Sequence, residues 1–349
     1  MVAVPSPFRR ALSFFTLCFA TALIGSGAAV YKGAIVINVD DGHVLFEDNA
    51  DYVGPPASVT KLMTFLIVKE QIAAGRLSLV TPVTVDREDA RMGGTQVWLA
   101  ENEVFPVEDL LFALMVQSAN DAAHALSHAA AGSREAFVAL MNERARALGM
   151  THTTWRSPHG LPPSSRKLAD SDLTSPRDLA ILSRTLLQTT DVLRYTAVER
   201  MPFGTPQRDE PVMMDNHNNL VGKIAGVDGL KTGFTRAAGF CLAATAERNG
   251  RRVVAVIMGS PTSKERDIKM AELLEIGFAR LPTTTRTLNL SEATPLPANP
   301  IDLTLPKRDA PPSPPAPAPR TATAEPEELP DDETASGDDE PPTVRFVIP

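Results

Sequence analysis

Apolar residues at 34–47 and again at 229–258 fall into short runs that predict β-strands. Two of these runs flank Asp40-Asp41-Gly42, a combination typical of a hairpin turn, and two more flank Arg248-Asn249-Gly250. We expect strands from the two ends to pair in one antiparallel sheet. The predicted strands are 34–39, 43–47, 229–233, 239–246 and 252–258.

Between these strands the spacing of apolar residues is helical, and residues 80–200 show no strand pattern. A run from Ser58 to about Gly75 is apolar on nearly every face, which predicts a buried helix. The predicted fold class is therefore α+β: an antiparallel sheet of about five strands, flanked by helices, with a mostly helical lobe. Further helices are predicted at 107–115, 119–131, 133–148, 175–187 and 264–281.

Residues 1–29 have the pattern of a secretory signal peptide. Arg9 and Arg10 precede an apolar run that is too short to span a bilayer comfortably, and small residues at 25–29 provide a cleavage site. An uncleaved membrane anchor is the alternative. We expect an exported protein with no stable transmembrane domain once this leader has been removed.

The C-terminal residues differ from the rest in composition. Positions 309–349 contain ten acidic residues, two arginines and eleven prolines. Their net charge of −8 equals that of the whole chain, so the preceding residues are neutral overall and predict no nucleic-acid partner. Because such a segment cannot bury enough apolar surface to offset its chain entropy, we predict a disordered tail at 283–349 after a folded domain at 30–282.

Cysteine and histidine usage gives no sign of a disulfide framework or a metal centre. Of the two cysteines, Cys18 lies in the leader and Cys241 lies in a predicted strand, where packing is the simplest role. His124 and His128 stand four residues apart on a predicted helix, but no glutamate accompanies them and an alanine-rich face is their expected setting. We expect no metal and no cofactor.

The start of the buried helix carries the strongest chemical signal. Pro55-Pro56 delivers the chain to a helix beginning at Ser58, and Lys61 lies beside that serine on the first turn. Burial favours the neutral amine of a lysine, which can take a proton from the adjacent hydroxyl. Backbone N–H groups at the helix N-terminus point at an oxyanion formed over Ser58. These four residues therefore predict a nucleophile and its base.

Ser-x-x-Lys is a weak signal when it stands alone. A helix N-cap followed by an exposed lysine explains the same spacing about as well. Ser164 and Lys167 repeat the spacing after Pro162-Pro163, but the polar residues around them predict a solvated loop. The choice between catalysis and capping depends on chemistry elsewhere in the chain.

Two further motifs supply such chemistry. Ser118 and Asn120 lie where two helical runs meet; the hydroxyl can relay a proton and the amide can hold a carbonyl and a lysine amine. The same pattern alone fits a helix N-cap. Lys231-Thr232-Gly233 lies on a predicted strand, with a positive charge, a hydroxyl for a carboxylate and a glycine that admits a substrate backbone. The alternative is an exposed strand lysine before a bulge glycine.

These three motifs, in this order and context, occur in penicillin-binding proteins and serine β-lactamases. Residues 32–281 resemble the low-molecular-mass penicillin-binding proteins of the D-alanyl-D-alanine carboxypeptidase family, which implies a β-lactamase/transpeptidase-like fold. The phrases that carry the resemblance are Pro-Pro-Ala-Ser-Val-Thr-Lys-Leu-Met-Thr, Gln-Ser-Ala-Asn-Asp-Ala-Ala, Leu-Met-Asn-Glu-Arg-Ala-Arg-Ala-Leu-Gly-Met and Val-Asp-Gly-Leu-Lys-Thr-Gly-Phe-Thr.

The resemblance implies a serine-type carboxypeptidase that removes the terminal D-Ala from peptidoglycan pentapeptides. Ser58 would form the acyl-enzyme and contribute its N–H to the oxyanion hole, with Lys61 as base. Ser118 and Asn120 would line the cleft and help to move the proton. The implied partners are peptidoglycan stem peptides, with β-lactams as inhibitors, in the periplasm or cell envelope of a bacterium.

The resemblance also assigns a substrate-binding strand. Lys231 would support the proton network, and Thr232 and Thr235 would hold the terminal carboxylate of the substrate. The N–H of Phe234 would complete the oxyanion hole, with Gly233 beside it. No metal has a role in this scheme.

Three other activities share some of these features. A D,D-endopeptidase, which cuts peptidoglycan cross-links, would carry the same motifs. A serine β-lactamase of the most similar class would need a deacylating carboxylate in a Glu-x-x-Leu-Asn segment, and no glutamate occurs between Glu143 and Glu199. A non-catalytic penicillin-binding protein is disfavoured by the intact Ser58, Lys61 and Lys231.

Overall fold

A computed structural model describes residues 30–282. The predicted leader, 1–29, and the predicted tail, 283–349, lie outside the described residues. Among the helices of 30–282, none combines the length and apolar character needed to cross a membrane.

The described residues form nine strands and seven α-helices. The strands are β1 (Gly33–Asn38), β2 (Val44–Asp48), β3 (Pro82–Thr84), β4 (Val104–Pro106), β5 (Arg200–Phe203), β6 (Val212–Asp215), β7 (Val227–Thr235), β8 (Gly239–Arg248) and β9 (Arg251–Ser260). The helices are α1 (Lys61–Ala73), α2 (Val107–Phe112), α3 (Asn120–Ala131), α4 (Arg134–Ala147), α5 (Pro176–Thr189), α6 (Leu193–Thr196) and α7 (Ser263–Arg280).

The main sheet joins the two ends of the described chain. Its five antiparallel strands have the order β2-β1-β9-β8-β7, so β1 from the N-terminal end pairs directly with β9 from the C-terminal end. The predicted α+β class is confirmed. All five predicted strands are present, although β7, β8 and β9 extend beyond their predicted ends.

Both faces of the sheet are covered, which explains why its central strand is apolar at almost every position. On β9, Val254, Val256 and Met258 belong to the large core shared with the helical lobe. The alternate residues Val253 and Ala255 pack in a second core against α7. Because successive side chains of a strand point to opposite faces, a strand covered on both sides reads as a continuous apolar run.

Helix α1 lies at the centre of the helical lobe, in contact with α3, α4 and α5. Most of its side chains are buried, as the sequence predicts for a helix that is apolar all round. The helix is therefore held from several directions. Its first residue, Lys61, is fully buried.

The expectation that residues 80–200 contain no strand is wrong in detail. Strands β3 and β4 pair in a two-stranded sheet within that interval, and β5, which begins at Arg200, pairs with β6 just beyond it. β3 and β4 are each three residues long, so the alternation that reveals a strand hardly develops in them. Pairing between segments about 20 residues apart, rather than a local pattern, creates them.

Candidate active site

The chain enters α1 through a 3₁₀ turn, Ala57–Thr60, rather than through the regular helical turn that the sequence predicts from Ser58. In 3₁₀ geometry side chains three residues apart eclipse one another, which brings Ser58 and Lys61 onto one line. The distance between Ser58 Oγ and Lys61 Nζ is 3.0 Å. Ser58 is partly exposed, whereas Lys61 is buried, so the serine is accessible from solvent and the lysine lies in the interior.

Two glycines allow other segments to close on the backbone at Ser58. A Cβ on Gly233 of β7 would lie 2.5 Å from the carbonyl oxygen of Pro56 and 3.0 Å from the nitrogen of Ser58. A Cβ on Gly160 would lie 2.0 Å from the carbonyl oxygen of Ala57. Gly160 also has φ +86°, a conformation that side chains rarely adopt. The approach of both segments to this turn therefore requires glycine.

Lys61 joins three separate parts of the chain. Its Nζ donates to Asn120 Oδ1 at 2.6 Å and to the backbone oxygen of His159 at 2.9 Å, in addition to its contact with Ser58 Oγ. The partners of this amine come from α3, from the loop before α5 and from its own turn. A buried lysine held in this way has a fixed position next to a serine hydroxyl, the geometry that a base and its nucleophile need.

The Ser-x-Asn motif lies where α2 gives way to α3. A π-helical turn, Ala113–Gln117, ends at Ser118, which is buried and has φ +65°. The side chain of Asn120 does not cap a helix, because it accepts from Lys61 and donates from Nδ2 to the oxygen of Gly93 at 2.8 Å. The capping interpretation of this motif is therefore wrong for Asn120.

Lys231 and Thr232 are buried on β7, at the edge of the five-stranded sheet. The Nζ of Lys231 donates to the oxygen of Thr232 at 3.1 Å. Burial, together with the positive charge of Arg266, lowers the pKa of Lys231 from its ordinary value of 10.5 to about 7, and burial is the larger of the two causes. The alternative of an exposed strand lysine is therefore wrong.

The end of β7 has a different character. Phe234 is exposed and stacks on Phe240 of β8, with ring centroids 4.1 Å apart. Thr235 Oγ1 accepts from the N–H of Ala238 at 3.1 Å. In the five-stranded sheet, β7 pairs with β8 on one side only, so its other edge faces away from the sheet next to the turn that carries Ser58.

The second Ser-x-x-Lys pair, Ser164 and Lys167, lies in a loop. Both residues are exposed, as the sequence predicts. This setting offers no burial to favour a neutral lysine. Cys241 is buried within β8, in agreement with its predicted packing role.

Sequence reasoning missed the support that Asp172 gives to the site. This buried carboxylate accepts from the N–H of Ser157 at 2.9 Å, from Ser157 Oγ at 2.7 Å and from Thr60 Oγ1 at 3.3 Å. Ser157 Oγ in turn accepts from the N–H of Gly160 at 2.9 Å. Burial raises the pKa of Asp172, whereas these hydrogen bonds act to lower it. The carboxylate thus ties the Gly160 loop to the residue that precedes Lys61.

Sequence reasoning also missed Arg266 on α7. Its side chain is buried, donates to Asp267 Oδ1 at 2.7 Å and lies 6.0 Å from the centre of the Phe240 ring. Its positive charge acts on Lys231. A signal was available, because Arg266 falls four residues before Met270 on the buried face of α7, where an arginine is unusual.

Residues 27–262 match the family model described as D-alanyl-D-alanine carboxypeptidase. The chain belongs to this family. The D-alanyl-D-alanine carboxypeptidase DacF of Bacillus subtilis is 32% identical over 252 residues, which cover 72% of this chain and 63% of that protein. DacC of Escherichia coli is 34% identical over 258 residues, 72% of this chain and 62% of DacC. The chain thus spans slightly less than two thirds of these curated relatives.

Solved structures of the D-alanyl-D-alanine carboxypeptidase family and its penicillin-binding relatives share the fold. The carboxypeptidase DacD of Francisella tularensis superposes with a TM-score of 0.68 at 27% identity, covering 71% of this chain and 70% of that one. A penicillin-binding protein of Listeria monocytogenes, in its ampicillin-bound form, superposes with a TM-score of 0.63 at 35% identity. The match covers 71% of this chain and 97% of that one. The predicted resemblance to low-molecular-mass penicillin-binding proteins is confirmed.

Proposed function

We propose that the protein is a serine-type D-Ala-D-Ala carboxypeptidase that releases the terminal D-Ala of peptidoglycan pentapeptides through an acyl-enzyme on Ser58. The observation that carries the proposal is the 3.0 Å distance between the Ser58 hydroxyl and the buried amine of Lys61. Membership of the family supports the choice of reaction and substrate.

In the proposed acylation, Ser58 Oγ attacks the carbonyl carbon of the penultimate D-Ala while the neutral amine of Lys61 takes the hydroxyl proton. The oxyanion that forms is stabilised by the N–H groups of Ser58 and Phe234, which the close packing of Gly233 on the Ser58 turn supports. Collapse of the tetrahedral intermediate breaks the peptide bond, and the proton passes to the leaving amine of the terminal D-Ala.

In this proposal the proton is transferred among polar side chains that lie around Lys61. Asn120 holds Lys61 in position, and Ser118 offers a hydroxyl just before the start of α3. Water then attacks the acyl-enzyme, with the same groups returning the proton to Ser58 Oγ. Lys231, with its pKa near neutrality, supports this network.

The substrate in this proposal lies along the outer edge of β7. Thr232 and Thr235 hold its terminal carboxylate, and Lys231 provides positive charge. The glycine between them, Gly233, lets the substrate backbone approach the strand. The unpaired edge of β7 supports this arrangement, because an extended peptide can add to a free strand edge through main-chain hydrogen bonds.

β-Lactams are proposed as inhibitors that acylate the same serine. Support comes from the penicillin-binding protein of Listeria monocytogenes, which has been solved in ampicillin-bound and cefotaxime-bound forms. We further propose that the protein is exported to the periplasm or cell envelope, where stem peptides occur. The signal-peptide pattern at 1–29 supports this location.

The proposal is tested by labelling the protein with a fluorescent penicillin and by measuring D-Ala release from a pentapeptide. Ser58→Ala removes the acceptor oxygen, so we expect it to abolish both signals. The matched control is Ser164→Ala, at the exposed Ser-x-x-Lys, which should behave as the wild type. Equal labelling of Ser58→Ala, or a mass shift mapped to Ser164, would overturn the assignment.

A further inference from the structure

A second polar cluster lies in the helical lobe, between α3 and the turn that follows β3. It consists of Asp86, Asp89, His124 and His128, whose ligand-capable atoms all lie within 4.8 Å of one another. The two histidines are one helical turn apart on α3, and their ring centroids are 4.6 Å apart. Asp89 begins a 3₁₀ turn about 35 residues earlier in the chain, and Asp86 lies three residues before that turn.

The backbone of that turn fixes both carboxylates. Asp86 Oδ1 accepts from the N–H groups of Glu88 at 2.7 Å and Asp89 at 2.8 Å, and Asp89 Oδ2 accepts from the N–H of Asp86 at 2.9 Å. The other oxygen of each carboxylate faces the histidines. Hydrogen bonds of this kind orient carboxylate ligands in metal sites.

The outward oxygens and the imidazole nitrogens converge. Asp89 Oδ1 lies 2.6 Å from His124 Nδ1 and 3.9 Å from His128 Nε2, and Asp86 Oδ2 lies 3.7 Å from His128 Nε2. That nitrogen of His128 is buried and has no hydrogen-bond partner among residues 30–282. The cluster therefore holds one imidazole nitrogen whose bonding capacity is unused.

Burial is graded across the cluster. The side chains of Asp89 and His124 are 1% and 5% exposed, whereas those of His128 and Asp86 are 27% and 47% exposed. The inner pair is shielded from water and the outer pair faces solvent. An ion can thus reach the cluster from outside and be enclosed on its inner side.

We propose that these four residues bind a divalent transition-metal ion, with zinc as the best match. Two imidazole nitrogens and two carboxylate oxygens form a donor set that zinc accepts in tetrahedral geometry, whereas magnesium and calcium prefer oxygen alone. Donor atoms around a tetrahedral zinc ion are about 3.3 Å apart. The observed distances between carboxylate oxygens and imidazole nitrogens, 2.6, 3.7 and 3.9 Å, lie on either side of that value. Small shifts of these side chains would therefore complete the zinc coordination shell.

The ion would brace the structure around the Ser-x-Asn motif. It would tie α3, which begins at Asn120, to the turn that ends two residues before Gly93. The oxygen of Gly93 accepts from Asn120 Nδ2, and the oxygen of Thr95 accepts from the N–H of Asn120. The ion thus stabilises the segment against which Asn120 rests, and it stands outside the acylation chemistry of Ser58.

The test uses the full chain, stripped with a chelator and then titrated with Zn²⁺ in competition with a chromogenic chelator. We expect one ion per chain and a higher melting temperature. His128→Ala should weaken zinc binding by at least about 100-fold, since even loss of a supporting residue costs 10- to 100-fold, and should remove the thermal gain. Asp86→Asn is the second variant, because its amide oxygen can still accept the turn N–H groups.

The matched control is His152→Ala, at an exposed histidine 3.9 Å from Asp51, and it should bind zinc as the wild type does. Bound Co²⁺ should show the intense visible absorption of four-coordinate cobalt in wild type and control only. No zinc bound by the wild type, or unchanged affinity in both His128→Ala and Asp86→Asn, would overturn the proposal. Penicillin labelling at Ser58, measured separately, distinguishes this failure from a failure of the proposed function.

Discussion

Lys61 Nζ donates to Asn120 Oδ1 at 2.6 Å, although the two residues are 59 positions apart in the chain. The bond places a neutral amide oxygen against the amine that also contacts Ser58. A neutral acceptor positions the amine without adding a negative charge beside it. The identity of residue 120 therefore bears directly on how readily Lys61 can act as a base.

Asn120→Asp is expected to slow penicillin acylation by at least about 100-fold near neutral pH, the lower range of what a positioned base contributes. A carboxylate at this distance favours the ammonium form of Lys61, so the lost rate should partly return as pH is raised. Stopped-flow acylation over a pH series measures this. The control is Asn102→Asp, at an exposed turn residue. An unchanged pH profile would contradict the role given to Lys61.

Gly233→Ala is expected to reduce acylation by about 100-fold, the effect of roughly 1 Å of misplacement at a reacting centre. The new Cβ would lie 2.5 Å from the oxygen of Pro56 and 3.0 Å from the nitrogen of Ser58, so β7 or the Ser58 turn must move. Acylation kinetics and thermal melting measure the result. Gly93→Ala is the steric control, because its Cβ meets no atom within 4 Å and the substitution keeps the backbone oxygen that accepts from Asn120 Nδ2. Wild-type kinetics in Gly233→Ala would show that the packing tolerates a methyl group.

The lowered pKa of Lys231 predicts how stability changes with pH. In the folded protein the amine loses its proton at about pH 7, whereas in the unfolded chain it keeps the proton to about pH 10. Between these values the unfolded state binds more protons, so stability rises with pH. Relative to Lys231→Met, the wild type should gain about 2 kcal/mol of unfolding free energy from pH 7 to pH 9.

Urea titrations of both proteins at the two pH values measure the Lys231 effect. In the difference between the unfolding free energies of the wild type and Lys231→Met, the contributions of all other titrating groups cancel, since they are common to both proteins. Lys269→Met, at a partly exposed lysine paired with Glu272, should show no such pH-dependent difference. A constant difference between wild type and Lys231→Met would mean that Lys231 remains charged when folded.

Penicillin should acylate Ser58 and then remain attached for far longer than a peptide acyl group. The interval between the Ser-x-Asn and Lys-Thr-Gly motifs contains Asp170 and Asp172, but neither is available to activate water: Asp172 is engaged by Ser157 and Thr60, and Asp170 accepts from Ser165 Oγ in an exposed loop. Mass spectrometry over time after acylation follows the adduct. Repeated hydrolysis as fast as D-Ala release would indicate a β-lactamase.

Local patterns in the sequence determined a large part of this protein. The period of apolar residues predicts the five sheet strands, the buried helix α1 and the closing helix, because each depends on neighbours within a few residues. The pairing of Ser58 with Lys61 is equally local, three residues apart on one turn. The exposed copy at Ser164 could be set aside from its polar surroundings alone.

Contacts between distant segments were decided only by the tertiary structure. The bond from Lys61 to Asn120, the approach of Gly160 to Ala57 and the Arg266 charge near Lys231 each join segments that no local period connects. The two short sheets are further examples, since neither exists without its partner strand.

The histidines of α3 show most clearly the difference between what the local sequence determines and what the tertiary structure decides. Their spacing of four places them on one helix face, and the alanines around them suggested a packing role. The fold brings Asp86 and Asp89 against that face from a turn about 35 residues away. A sequence period specifies which side chains share a face, but the packing of whole elements specifies what that face meets, because burial energy depends on surfaces and not on chain order.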